Sequence, residues 1–129
     1  MRNFLTYHLP AILYGALIIV LSSLPGLGVP NIKIFQMDKL LHFCEYAVFA
    51  MLIYRSFSHI SDSFRGRLML FLSMFFVVLF AGFDEFYQSY IPGRQSDPYD
   101  LLFDVLGAFI IITYLFLRKK TDSRRSVAE

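Results

Sequence analysis

At 129 residues the chain has room for one domain and no more. Its residues are 57% hydrophobic and only 17% charged, against about 25% charged in soluble domains, which excludes an ordinary soluble core of this size. The net charge of +2 gives no argument for a nucleic-acid partner and none is expected; the single cysteine, Cys44, excludes an intramolecular disulfide framework.

Four apolar stretches carry the hydrophobicity, at about 8–24, 40–57, 68–88 and 101–117. Each is near the ~20 residues that cross hydrocarbon as a helix at about 1.5 Å per residue. All are on the short side, so tyrosines near their ends (Tyr7, Tyr54, Tyr87, Tyr90, Tyr99 and Tyr114) are expected at the headgroup level. No period-2 alternation suggests a barrel, and a backbone in lipid must bond to itself. An all-α, integral membrane four-helix bundle is therefore predicted, spanning 1–117, with a basic cytoplasmic tail over 118–129. The first stretch lacks a clean small-x-small site and is expected to stay as a span rather than leave as a signal peptide.

Turn-forming residues agree with these boundaries. Pro25, Gly26, Gly28 and Pro30 break the first connection, Ser61, Asp62, Ser63 and Gly66 the second, and Pro92-Gly93 the third. With both termini on one side, that side holds Arg2, Arg55, Arg65, Arg67, Arg118, Lys119, Lys120, Arg124 and Arg125. The other holds only Lys33, Lys39 and Arg94, so the positive-inside rule places both termini in the cytoplasm. Seven of the ten acids lie toward the opposite, outer side: Asp38, Glu45, Asp84, Glu85, Asp97, Asp100 and Asp104.

Those acids define the candidate site. Charged groups inside a bilayer cost about 2.5–3.5 kcal/mol each on insertion scales and persist mainly when paired or functional. On the second span Asp38, His42 and Glu45 stand at i, i+4 and i+7, in one helical stripe that Phe49 and Leu52 continue inward. This stripe is either a proton-handling triad or metal-ligand set, or a helix-start cluster in which Asp38 meets free N–H groups and His42 bonds Glu45. Lys39 lies about 100° round the helix, placed to snorkel toward headgroups or to meet a partner acid.

On the third span Asp84 and Gln88 share a face, with Glu85 beside them. Sixteen uncharged residues, Leu68 to Phe83, precede the pair, which sets Asp84 slightly inside the hydrocarbon edge. Adjacent carboxylates there repel, so one is expected to take a proton or a cation unless both reach headgroup water. On the fourth, Asp97, Asp100, Asp104 and Gly107 follow at steps of three and four. Ser96 or Asp97 before Pro98 has the form of an N-cap with proline at the first helical position. Gly107 would let a neighbouring backbone approach closely. Arg94, in the Pro-Gly turn, is the expected counter-ion of these acids, as a loop-fixing salt bridge or as a bidentate clamp on carboxylate or phosphate. His8 and His59 are expected at interfaces, Cys44 off the stripe and inert, and the methionines in packing roles.

DKLLHFCEY (Asp38 to Tyr46), DEFYQSYIPGR (Asp84 to Arg94), then Asp100, Asp104 and Gly107 together resemble the VanZ-like family of small bacterial membrane proteins. SSLPG, Ser22 to Gly26, is similar to the close of that family's first span. The likeness covers about 12–117; it departs at Asp104, where the family pattern commonly has Asn. The resemblance implies a multi-pass protein of the bacterial cytoplasmic membrane, acting at its outer face on envelope ligands or on the handling of teicoplanin-type lipoglycopeptides. It implies no particular reaction.

Three functions remain open on the residues. The first is a binding site for an envelope lipid or lipoglycopeptide, in which Arg94 and Lys39 contact an anionic headgroup while Asp84, Glu85, Asp100 and Asp104 hold them. The second is a membrane-embedded enzyme or divalent-cation site acting on a lipid-linked phosphate, with His42, Glu45, Asp84, Glu85 or Asp100 as ligands. The third is proton-coupled transport through Glu45 and Asp104, which needs a homo-oligomer.

Overall fold

The computed structural model describes residues 2–25, 35–60, 66–94 and 96–128. Gly26, Gly28, Pro30 and Lys33 of the first connection, Ser61, Asp62, Ser63 and Arg65 of the second, and Glu129 lie outside the described residues, as do the side chains of Asp122, Arg124 and Arg125.

Helix α1 (Leu9–Ser22) is entered through one π-helical turn, Phe4–His8. Pro10 explains it: proline has no N–H to offer Thr6, and its ring crowds that carbonyl, so the turn before it widens. Helices α2 (Phe35–Ile60), α3 (Gly66–Gln88) and α4 (Pro98–Ala128) follow. All four carry a segment long and apolar enough to span a membrane: Phe4–Ser22, Met37–His59, Gly66–Gln88 and Pro98–Thr121. These segments are longer than the predicted second and fourth stretches, because Asp38, Lys39 and Asp100 are helical rather than flanking. Helix α4 also runs on past Leu117 to Ala128, where no glycine or proline interrupts it.

The helices alternate in direction. At one end His8 Nδ1 and Ser56 Oγ are 2.7 Å apart, and the Tyr7 and His59 rings stack at 3.7 Å. At the other end Gln88 Nε2 donates to Ser22 Oγ (3.2 Å), Ser23 Oγ meets Tyr87 OH (3.0 Å), and α2 meets α4 through Lys39 and Asp100. The end of α1, the start of α2, the end of α3 and the start of α4 therefore lie at that second end, the connection end. Between its two fastened ends α1 stands off α3, leaving an apolar cavity of about 530 Å³ bordered by Ala11, Gly15, Phe49 and Phe80.

The packing is that of a protein dissolved in lipid. Along α3 the inward face reads Ser73, Val77, Ala81, Asp84 and Gln88, all buried, while Phe71, Phe75, Leu79, Phe83 and Phe86 are exposed. Lipid tails are as apolar as these outer side chains, so helices associate instead through small residues and hydrogen bonds. Helices α2 and α4 come closest. At Gly107 an added Cβ would run into the Phe43 carbonyl and lie 3.3 Å from the Ala47 nitrogen. The close approach expected of Gly107 is present, against α2. Tyr54 departs from its expected interfacial place: it is buried among the core residues with Met69 and Ile112.

Candidate functional site

Three helix ends bring the polar residues together. Helix α4 starts where its sequence says it should. Asp97 Oδ1 accepts the Tyr99 N–H (2.9 Å), which makes Asp97 the N-cap and Pro98 the first helical residue. That start fixes the two acids of α4 against α2. Lys39 Nζ, 3% exposed as a residue, donates to Asp97 Oδ2 (2.6 Å) and to Asp100 Oδ1, and lies 3.8 Å from Asp38 Oδ2. His42 Nδ1 is 3.1 Å from Asp104 Oδ1, and its Nε2 is 3.8 Å from Asp100 Oδ2.

Helix α3 supplies the opposite wall. Glu85 Oε2 accepts the Ser96 hydroxyl (3.0 Å) and the Asp97 N–H (3.1 Å), tying the end of α3 to the start of α4. Asp84 Oδ2 accepts Gln88 Nε2 at 3.0 Å and the Tyr46 hydroxyl at a long 3.4 Å. Adjacent in sequence, the two carboxylates thus face different partners. Both are buried, at 2% and 5% exposure, so neither sits in headgroup water. Among the described residues Asp84 Oδ1, Glu85 Oε1 and Asp104 Oδ2 are buried without a hydrogen-bond partner. A buried carboxylate oxygen with nothing donating to it is costly, and three in one cluster call for protons, a cation or a ligand's donors.

Two expected pairings are replaced. Arg94, expected as the counter-ion of the α4 acids, forms no ion pair with them among the described residues. Its Nη2 donates instead to the Leu21 carbonyl (2.9 Å), one of the last of α1, and its Nε is buried without a partner. Lys39 fills the counter-ion role, because it projects from the face of α2 that α4 covers. Likewise, no hydrogen bond joins His42 to Glu45 among the described residues; the imidazole turns to Asp104 on α4. The stripe of α2 that meets α4 runs Lys39, His42, Tyr46, the first and last buried and the His42 side chain 11% exposed, with Asp38 and Glu45 half-buried at its edge.

Of the expected site residues, Lys39, His42, Asp84, Glu85, Gln88, Asp100 and Asp104 therefore converge at the connection end. Asp38 and Glu45 border them, and Arg94 stands beside α1. Tyr46, Ser22 and Ser96 were not expected there. Tyr46 carries a legible signal, the i, i+3, i+7 spacing from Lys39 and His42; Ser22 and Ser96 carry none in spacing, since they arrive from other elements. His8, His59 and the exposed Cys44 lie outside the cluster, as expected.

Asp97 lies just outside the membrane-crossing segment of α4. The Lys39 ammonium, and after it the Tyr99 N–H, hold its carboxyl below the ordinary value. A carboxyl lowered on folding stabilises fully above the ordinary carboxylate range, and the contribution disappears as pH falls through the lowered value. Asp97→Asn keeps the capping oxygen and removes the charge. Its unfolding midpoint in detergent is expected to fall less steeply than that of the wild type as pH drops below about 4. Parallel acid limbs would contradict this account of Asp97.

The family model described as VanZ/LLP1 matches residues 4–119, which takes in all four helices and every residue of the polar cluster. No curated protein and no solved structure matches the chain. With four membrane-spanning helices and a family match across nearly its whole length, the chain is a multi-pass membrane protein that belongs to the VanZ/LLP1 family.

Proposed function

We propose that this protein binds a cell-envelope ligand at the outer side of a bacterial cytoplasmic membrane, and that binding lowers susceptibility to teicoplanin-type lipoglycopeptides. The observation that carries the proposal is the set of buried, unpartnered carboxylate oxygens on Asp84, Glu85 and Asp104. Such a set selects for hydrogen-bond donors and positive charge on a ligand. An anionic headgroup held by Lys39 is a poorer fit, because that ammonium is already committed to Asp97 and Asp100. Arg94 Nε is left to meet an anionic part of the same ligand beside Leu21. The outward orientation follows from the basic excess at the opposite end of the bundle.

The test pairs a purified protein with a susceptible host. Expression of the wild type is expected to raise the inhibitory concentration of teicoplanin, and the purified chain to bind the drug or envelope lipid in detergent. Asp84→Asn, which keeps the shape but removes the charge, is expected to return susceptibility to that of cells lacking the protein. Binding and susceptibility unaltered by both Asp84→Asn and Arg94→Ala, in variants that elute and unfold as the wild type does, would end the proposal.

A further inference from the structure

We propose that His42, Glu85 and Asp104 bind one divalent first-row cation, Mn²⁺ or Zn²⁺, at the junction of α2, α3 and α4. The inference rests on the cluster being a binding site and names what occupies its deepest part.

One imidazole nitrogen of His42 and one carboxylate oxygen each from Glu85 and Asp104 lie within 4.8 Å of one another. Ligand atoms on one such ion, at about 2.0–2.2 Å from it, lie roughly 3–3.5 Å apart, so small rotations of the two acidic side chains close the set. Each ligand comes from a different helix, and helix packing rather than loop geometry assembles them.

Two further observations point to a cation. Glu85 and Asp104 are 5% and 1% exposed, and each keeps a buried oxygen, Oε1 and Oδ2, that nothing among the described residues donates to. Lys39 is already shared between Asp97 and Asp100, so a divalent ion would balance Glu85 and Asp104, two of the three buried carboxylates that keep an unpartnered oxygen. The outer contacts suit the role as well. Ser96 and the Asp97 N–H fix the other oxygen of Glu85, as second-sphere donors do around bound metals.

The donor set narrows the ion. An imidazole with two carboxylates suits Zn²⁺ or Mn²⁺, whereas Ca²⁺ asks for six to eight oxygens and Mg²⁺ is usually bound through one or two carboxylates and water. A second grouping, Asp38, His42 and Asp100, shares the histidine. It is the weaker candidate, since Asp100 is held by Lys39 and the Asp38 side chain is 42% exposed.

The full chain, purified in detergent and stripped with chelator, would be titrated calorimetrically with MnCl₂ and, separately, ZnCl₂. A single site per chain is expected for at least one ion. Glu85→Gln and Asp104→Asn, both nearly isosteric, are each expected to weaken it by more than the roughly 10–100-fold that loss of an outer-shell partner costs. Asp38→Asn is expected to leave it unchanged. No stoichiometric site in the wild type, a site that survives both inner substitutions, or one that fails only in Asp38→Asn would overturn the proposal. Should a variant not fold, spectroscopy of the ion that binds the wild type decides, electron spin resonance for Mn²⁺ or X-ray absorption for Zn²⁺: nitrogen from an imidazole in the inner sphere supports the site and its absence sinks it. Drug binding measured on the same stripped protein separates the two proposals. Binding that persists without any metal site removes the cation alone, while a metal site without drug binding removes the function proposed above.

Discussion

Lys39→Met is expected to cost about 3–5 kcal/mol of stability, the range for removing one partner of a buried ion pair. The lysine is nearly wholly buried, and its ammonium is the contact shared by Asp97 and Asp100. Methionine fills much the same volume, so the loss reports charge rather than packing. It leaves Asp100, itself buried, without its hydrogen-bonded cation, with only the His42 imidazole nearby at 3.8 Å. Unfolding of wild type and variant in detergent measures the difference. A loss within about 1 kcal/mol would mean that the pair behaves as an exposed surface bridge and that water reaches it freely. The double variant Lys39→Met, Asp100→Asn separates these cases, because neutralising the acid should recover a coupling energy on the order of 1–3 kcal/mol. Since Lys39 and His42 face the same helix, the single variant is also expected to loosen His42 from Asp104 and to reduce ligand binding at the cluster.

Gly107→Ala is the second large effect. An alanine Cβ there meets the Phe43 carbonyl, a backbone group that cannot rotate aside, so α4 has to move off α2. Overpacking of this kind costs typically about 1–3 kcal/mol, against a gain of roughly 0.5–1 kcal/mol from replacing a helical glycine. Gly82 on α3 is the internal control: nothing lies within 4 Å of the position its Cβ would take. Gly82→Ala is expected to stabilise slightly and Gly107→Ala to destabilise. The two variants are expected to differ in function as well, because a shift of α4 carries Asp104 away from His42 and Asp100 away from Lys39. Equal melting points for the two alanine variants would show that the α2–α4 contact is looser than Gly107 implies.

Much of the architecture was legible because it rests on local or collective properties. The spans follow from hydropathy and length, and the start of α4 follows from Asp97-Pro98, whose capping role depends only on its own helix. Gly107 was legible as a contact point, though not its partner Phe43. The polar cluster was legible as a set of acids at one end of the bundle. Its pairings were not. Asp38, His42 and Glu45 share a stripe on any helix, yet α4 covers the neighbouring stripe that holds Lys39, His42 and Tyr46. The two stripes share His42 and differ by one residue, about 100°, at Asp38/Lys39 and at Glu45/Tyr46, and periodicity on a helix with polar groups on both does not choose between them.

Arg94 makes the same point from the loop. Next to the α4 acids in sequence, it turns to the Leu21 carbonyl of α1 because that helix ends beside it, while Lys39 reaches the acids from 58 and 61 residues away. The sequence by itself determined four membrane spans, the start of α4 and the family. Those depend on transfer of whole segments into lipid and on capping within single helices. Tertiary structure alone decided which carboxylates meet a cation and which stay unpartnered. Such pairing depends on distances of a few ångströms between helices and on burial by neighbours, neither of which any one helix encodes.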